Sequence, residues 1–448
     1  MLQARLTAAR WRILVGRLAR EGVIRNNAIF FVGSVGAGIF GYIFHFAIGR
    51  LVGPASYSIV ASAVAAIYIL TLPSLIVTLV AARFTSVAIA RDDPSALAPL
   101  ARLLTTVSVV VGGVVAVAIW LGAGWFSGFL QLTDRRVVAV LTVSTLLGML
   151  VATNRGLLQG LRRFGALSFN LLIDTSSRVA IGVVLVLAGL GPVGAVAAVI
   201  AGPAIAYLQS LAVIGRLVSG SPRQTIRIVE VARYAAPTAV AVIGVTYLFN
   251  IDVVLARHYL SPSQAGIYAA GAVLARVVYF LGLTIAGVMF PEVATRHARD
   301  QSHFHVVDLS LLFLAAVGIV LAALYALLPG LVLLPYGSQF APVRPYLGSF
   351  AVALTLLALA NLLVNYFLSV NSARFIAPLL GAGVLETVLM TAFHRDVAQF
   401  LAMLLVTTSV LAVSLAIVYA IDRFRPSAPG IEGSPDAETP TGQVPNAS

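Results

Sequence analysis

The chain has 448 residues, of which 60% are hydrophobic and 10% charged, with a net charge of +13 and a mean hydropathy of +1.00. Soluble domains carry about 25% charged residues, so this composition excludes an ordinary soluble enzyme and a disordered protein. There is no Cys, which removes disulfides, thiol catalysis, iron–sulfur clusters and Cys-ligated zinc.

Residues 1–26 hold six Arg, with Leu2, Leu6, Ile13, Leu14 and Leu18 between them. This is not a signal peptide. It reads either as a basic amphipathic helix on an anionic inner leaflet or as a positive topology anchor. Stretches without Asp, Glu, Lys or Arg follow at 51–82, 103–133, 179–215, 309–343 and 345–373. A membrane-crossing helix needs about 20 apolar residues, and a β-barrel would show short alternating segments instead. Cutting the apolar runs at Gly, Pro and charge predicts twelve spans near 28–49, 57–81, 103–126, 137–154, 165–187, 193–215, 234–256, 265–289, 307–329, 345–368, 375–393 and 397–421. The run 179–215 is too long for one helix, and Gly189-Leu190-Gly191-Pro192 splits it with a tight turn.

An even count puts both termini on one side. With both cytoplasmic, 21 of the 29 basic residues, all of them Arg, fall inside and six outside, leaving Arg178 and Arg276 within spans. That bias fits a plasma (inner) membrane protein with cytoplasmic termini, and it accounts for the net charge without a nucleic-acid partner. No loop is long enough for a catalytic or nucleotide-binding domain. No Walker A sequence is present, so neither enzyme activity nor a cofactor is expected. The stretch from Arg425 to Ser448 is rich in Pro, Gly, Ser, Asp and Glu and is expected to be a disordered cytoplasmic tail.

Twelve spans invite a test for two related halves. An offset of 208 aligns the second span with the eighth. It superposes Pro54 on Pro262, Ile59 on Ile267, Ala61 on Ala269 and Ala90-Arg91-Asp92 on Ala298-Arg299-Asp300. Both members run outside to inside, so the repeat is parallel. The expected fold is an all-α membrane protein of two six-helix lobes related by a pseudo-two-fold axis along the membrane normal. The divisions are a basic segment 1–26, an N-lobe 27–218, a linker 219–233, a C-lobe 234–422 and a tail 423–448. A ligand cavity would lie between the lobes.

Several segments resemble a known family. Gly49-Arg50-Leu51-Val52-Gly53-Pro54-Ala55-Ser56-Tyr57 is similar to the R-x-L-G-P-x-x-Y/F-G turn after the first span of polysaccharide flippases, with Ser58 where that family usually has Gly. Asn250-Ile251-Asp252 and Ala265-Gly266-Ile267-Tyr268-Ala269-Ala270 resemble its N-x-D … G-x-Y-x-A-A pattern around spans seven and eight. Phe290-Pro291 resembles its F-P at the end of span eight, and Tyr336-Gly337-Ser338-Gln339-Phe340-Ala341 its G-x-x-F-x-x-A loop before span ten. The family is the Wzx-like polysaccharide-transport branch of the multidrug/oligosaccharidyl-lipid/polysaccharide exporter superfamily, and the resemblance covers roughly residues 26–420. It implies a V-shaped bundle that moves polyprenyl-diphosphate-linked oligosaccharide from the inner to the outer leaflet by alternating access. The partners so implied are the lipid-linked oligosaccharide, the bilayer and a polysaccharide polymerase or other assembly protein. Related lipid II flippases usually have fourteen spans, against twelve here.

Ionisable groups at membrane depth are costly and line cavities or pair with one another. Arg178 and Arg276 are candidates to bind an anionic diphosphate headgroup, since Arg offers planar bidentate donors to phosphate oxygens; Asn250 is grouped with them. Asp174 lies four residues before Arg178, on the same helix face, and the two either form a structural ion pair or serve the ligand. Asp252, Glu386 and Asp174 are candidates for ion or proton coupling. Asp252 could instead be satisfied near Arg257, and Glu386 could neutralise an Arg of another helix. His45 reads as a buried histidine or a proton relay. Pro73, Pro237 and Pro378 are candidate hinges. Asn361, Asn365 and Asn371 could bind sugar hydroxyls or bond between helices.

Three other readings compete. A cation or drug antiporter of the sister branch would favour an acidic, aromatic cavity, which two Arg at depth oppose. A membrane-embedded polymerase or glycosyltransferase would need acidic metal motifs or a large outer loop. Asp92-Asp93 is the only adjacent acidic pair and reads as a solvated loop. A non-transporting scaffold is the last.

Overall fold

The computed structural model describes residues 23–90, 97–132, 134–215, 239–299 and 301–424. The expectations for residues 1–22 of the basic segment, the Asp92-Asp93 loop, the 219–233 linker, Pro237 and the tail beyond Phe424 lie outside the described residues. No strand occurs among the described residues. In chain order the helices are α1 (Val23–Leu70), α2 (Leu72–Ala90), α3 (Leu97–Leu121), α4 (Ala123–Phe129), α5 (Arg136–Gly160), α6 (Phe164–Leu185), α7 (Gly191–Ile214), α8 (239–248), α9 (Ile251–Tyr259), α10 (Pro262–His297), α11 (Phe304–Leu327), α12 (Pro329–Leu333), α13 (Leu347–Ser369), α14 (Ile376–Ala392) and α15 (Val397–Phe424). A π turn at Val186–Leu190 precedes α7, and a 3-10 segment at Ser338–Tyr346 precedes α13. Ten runs among the described residues are long and apolar enough to cross a membrane. Helix is the form that satisfies every backbone group without water. Leu121, Leu312 and Leu327 are among the large apolar side chains left exposed on the outside.

The interruptions come where the sequence punctuates. Within α1, Gly53 takes φ 75° and ψ 170°, a backbone that only glycine adopts without strain. Pro54 then opens the next helical stretch, where its missing N–H costs nothing. This gives the Gly-Pro pair its structural meaning. Gly189 and Gly191 also have positive φ, and Pro192 sits in the first turn of α7, so the uncharged run 179–215 divides as expected. Near Pro73 the helix breaks at Thr71, whose hydroxyl donates to the Ile67 carbonyl at 2.7 Å. The expected span 57–81 is therefore interrupted, and α2 continues to Ala90.

Two other expectations are corrected. Pro378 lies in the first turn of α14, where proline is accommodated rather than acting as a hinge. Phe290-Pro291 does not end its helix: α10 passes through Pro291 to His297.

Helices before residue 215 pack mainly on one another: α1 on α6 and α7, and α5 on α2, α3 and α7. Helices after 239 do the same, with α13 against α10, α11 and α15. The two halves meet chiefly through α9 and α10 against α1. Element order repeats as well. Pro54 opens one long stretch and Pro262 opens α10, as the offset of 208 requires, and a short helix follows both α3 and α11. Interhelical bonds of the kind favoured in lipid tie the first half together. Thr78 donates to the Ala152 carbonyl at 3.1 Å, Ser108 and Thr153 share a 2.7 Å bond, and Asn154 donates to Ser210 at 2.8 Å.

Candidate functional site

A cavity of about 660 Å³ lies between the halves. From the first half it is lined by Tyr42, His45 and Tyr68 of α1, Arg155 of α5, and Asp174 and Arg178 of α6. From the second half come Phe249, Asn250, Arg276 and Tyr279, with Asn361 and Asn365 of α13. Four of the residues singled out by charge and motif, Arg178, Arg276, Asn250 and Asp174, therefore converge. Asp252 and Glu386 do not line it.

On the first half, Asp174 is bound on both oxygens. Arg155 donates to Oδ2 at 2.7 Å and Arg178 to Oδ1 at 3.0 Å. The expected intrahelical pair is thus a triad. The expected span 137–154 leaves Arg155 in an inner loop; α5 instead runs to Gly160 and carries it into the cavity. Arg178 Nε is buried and has no hydrogen-bond partner.

On the second half, the helix is broken at Phe249 and Asn250, between α8 and α9. Arg276 fills the break. Its guanidinium donates to the Phe249 carbonyl at 2.6 Å and lies 4.4 Å from the centre of the Phe249 ring. Asn250 donates to the Thr246 carbonyl at 2.8 Å, and its Oδ1 is buried without a donor. Asn365 donates to the Asn361 carbonyl at 2.8 Å. Asn371 lies beyond α13, in a turn with φ 54°.

Behind this wall, Tyr268 donates to Asp252 Oδ2 at 3.1 Å, while Asp252 Oδ1 has no partner. Glu386 is 1% exposed, and neither of its oxygens has a hydrogen-bond partner. The two carboxylates sit on helices that pack together, α9 and α14. Asp252 does not pair with Arg257, which points elsewhere.

Arg257 joins the halves at one end of the bundle. Its guanidinium donates to the Leu130 carbonyl at 2.9 Å, the Ser58 hydroxyl at 2.8 Å and the Gln131 carbonyl at 2.7 Å. Nearby, His258 stacks on Phe129 with centroids 4.2 Å apart, and Gln339 donates to the Arg50 carbonyl at 2.8 Å. His45 bonds Tyr57 at 2.9 Å, and Tyr57 bonds Tyr336 at 2.8 Å. Gly266 packs directly on the Pro54 carbonyl: a Cβ there would sit 1.8 Å from that oxygen. Three of the motifs named above, those around Pro54, Gly266 and Tyr336, therefore meet here.

Replacing Arg257 with Gln should loosen this end. A charge-assisted bond is worth roughly 1.5–3 kcal/mol, so thiol labelling of a Leu130→Cys variant should speed by about tenfold or more. The absence of native Cys makes that readout clean, and unchanged labelling would show that Arg257 does not hold the halves. Gly266→Ala should push them apart. Cross-linking between Arg50→Cys and Gln339→Cys should then fall to background while helix content is kept, and persistent cross-linking would count against the close contact.

The fold so described has solved counterparts. An inward-facing multidrug resistance MATE family transporter of the MOP superfamily matches with a TM-score of 0.69 at 11% identity, over 86% of this chain and 94% of the other. The eukaryotic MATE transporter AtDTX14 matches at 0.59 and 17% identity, over 90% and 96%. A MOP-superfamily transporter from Pyrococcus furiosus matches at 0.58 and 13% identity, over 90% and 95%; it is described as having a binding pocket of reverse polarity that suggests a different function. The fold is that of the MOP-superfamily transporters. A family model described as polysaccharide biosynthesis protein matches residues 23–297, and the chain belongs to that family. No curated protein sequence matches it.

Proposed function

We infer that the chain is a flippase. It moves polyprenyl-diphosphate-linked oligosaccharide from the inner to the outer leaflet by alternating access, for export polysaccharide biosynthesis. The observation that carries this reading is the charge of the cavity: three arginines, Arg155, Arg178 and Arg276, against one aspartate. Guanidinium groups in a site shielded from water suit phosphate oxygens. Arg276, Arg178 and Asn250 would hold the headgroup, and Asn361 and Asn365 line the same space for sugar hydroxyls. Asp252 and Glu386, with oxygens that lack partners, would carry the coupling ion or proton. Asp174, bonded on both oxygens, suits that task less well.

This reading counts twelve spans. It separates the stretches before and after Gly53, joins the latter to α2 across Thr71 as one span, separates the stretches before and after Gly189, and includes the 17-residue α14. It groups them into lobes 27–218 and 234–422, with the Arg257 end outward and both termini in the cytoplasm of a plasma (inner) membrane. A polymerase or other assembly protein would receive the product; no nucleic acid or cofactor is needed.

A multidrug antiporter is the second reading, favoured by the MATE likeness of the fold. One experiment separates the two. The gene is deleted and lipid-linked oligosaccharide is measured in each leaflet. Accumulation in the cytoplasmic leaflet, relieved by the wild type, supports the flippase. No accumulation, with new sensitivity to cationic drugs, overturns it for the antiporter.

A further inference from the structure

We propose that Arg155 and Arg178 form a second anion seat in the cavity, separate from Arg276, that reads the additional phosphate of a lipid diphosphate. Asp174 and Asn170 are its positioning residues. The proposal rests on the headgroup reading above and deepens it, because it makes the cavity a discriminator of diphosphate from monophosphate.

The seat is built from two helices. Arg155 of α5 and Arg178 of α6 reach opposite oxygens of Asp174, at 2.7 and 3.0 Å. Asp174 is 4% exposed, and its carboxylate cannot retreat, since Gly202 of α7 lies directly behind it: a Cβ at Gly202 would be 2.6 Å from Asp174 Oδ1 and 2.4 Å from the Asp174 carbonyl. A fixed anion thus draws two guanidiniums from different helices to one point. Arg155 is held from a second side, because its Nε donates to Asn170 Oδ1 at 2.8 Å. Asn170 in turn donates to the Ala206 carbonyl at 2.6 Å and to Gln209 Oε1 at 2.7 Å.

One negative charge against two positive leaves this corner cationic. Arg178 Nε is a buried donor with no acceptor, although leaving such a group unbonded costs about 1–3 kcal/mol or more. Both arginines line the cavity, so the acceptor they suit is an oxyanion arriving there. A ligand with one phosphate fills either this seat or Arg276, whereas a diphosphate engages both.

The test uses the purified full chain and three probes: farnesyl diphosphate, farnesyl monophosphate and inorganic pyrophosphate. The wild type should prefer farnesyl diphosphate to both others. Arg155→Gln should weaken farnesyl diphosphate binding about 10- to 100-fold, the loss of one charge-assisted contact, with little change for the monophosphate. Arg155→Lys keeps the charge without the planar fork and should recover part of the affinity; it also serves if the Gln variant fails to fold. Asn170→Ala should lower the diphosphate-to-monophosphate ratio in the same direction, which a merely structural role would not do. An unchanged ratio in the Arg155 variants, with binding lost in Arg276→Gln, overturns the seat and leaves the headgroup reading standing. A wild type that binds neither lipid phosphate overturns both. Pyrophosphate binding as tight as farnesyl diphosphate overturns the assignment to a lipid-linked ligand.

Discussion

Replacing Arg276 with Gln is expected to abolish flipping while the protein stays folded. The residue stands where two demands meet. Its guanidinium faces the cavity, and it bridges a broken helix through the Phe249 carbonyl at 2.6 Å. Gln can keep one bond to that carbonyl but has no charge and no fork for a phosphate. The lost bidentate contact should cost roughly 3 kcal/mol or more, a factor above about 100 in headgroup affinity. Lys at this position should restore a small part. The measurement is the leaflet distribution of lipid-linked oligosaccharide in the deletion strain, with thermal unfolding of the purified variants as the control. Wild-type transport by Arg276→Gln would remove Arg276 from the site.

Glu386→Gln is expected to separate transport from its driving force at no cost in stability. A charged carboxylate with no partner is among the most expensive groups to bury, and both oxygens of Glu386 are in that position. The amide has the same shape without the charge, so the melting temperature should not fall. Asp252→Asn should act in the same direction but more weakly, because Tyr268 already satisfies one oxygen. Substrate movement in vesicles with an imposed proton or sodium gradient is the readout. A Glu386→Gln variant that still responds fully to the gradient would exclude Glu386 from coupling.

The helical class and the convergence of Arg178, Arg276, Asn250 and Asp174 were legible in the sequence, because lipid leaves little freedom. Apolar length dictates helix, and ionisable groups at depth must find one another or a cavity. The Gly189–Pro192 turn was equally plain, since glycine and proline act through the local backbone alone. Arg155 was missed for a different reason. Charge marks a span boundary in a hydropathy reading, yet α5 continues past Arg155 because Asp174 on another helix compensates it. Only three-dimensional packing supplies that partner. The partners of Arg257 were hidden in the same way: of the two readings open for Asp252, a contact with Arg257 is not the one the packing realises, because three neutral oxygens of the other half hold Arg257. The motifs around Pro54, Gly266 and Tyr336 were visible as patterns. Their meeting at one end of the bundle was not, since they are far apart in the chain.

Helix α9 is only nine residues long, a rod of about 13 Å. At its start lies the break that Arg276 bridges, with Asn250 in the cavity; at its finish, Arg257 and His258 grip the other half. Asp252 is anchored between them by Tyr268. On the flippase reading, the filling of the cavity, the charge on a buried acid and the clasp between the halves would all act on this one short helix. A headgroup bound at Asn250 would then lie less than three helical turns from the clasp at Arg257.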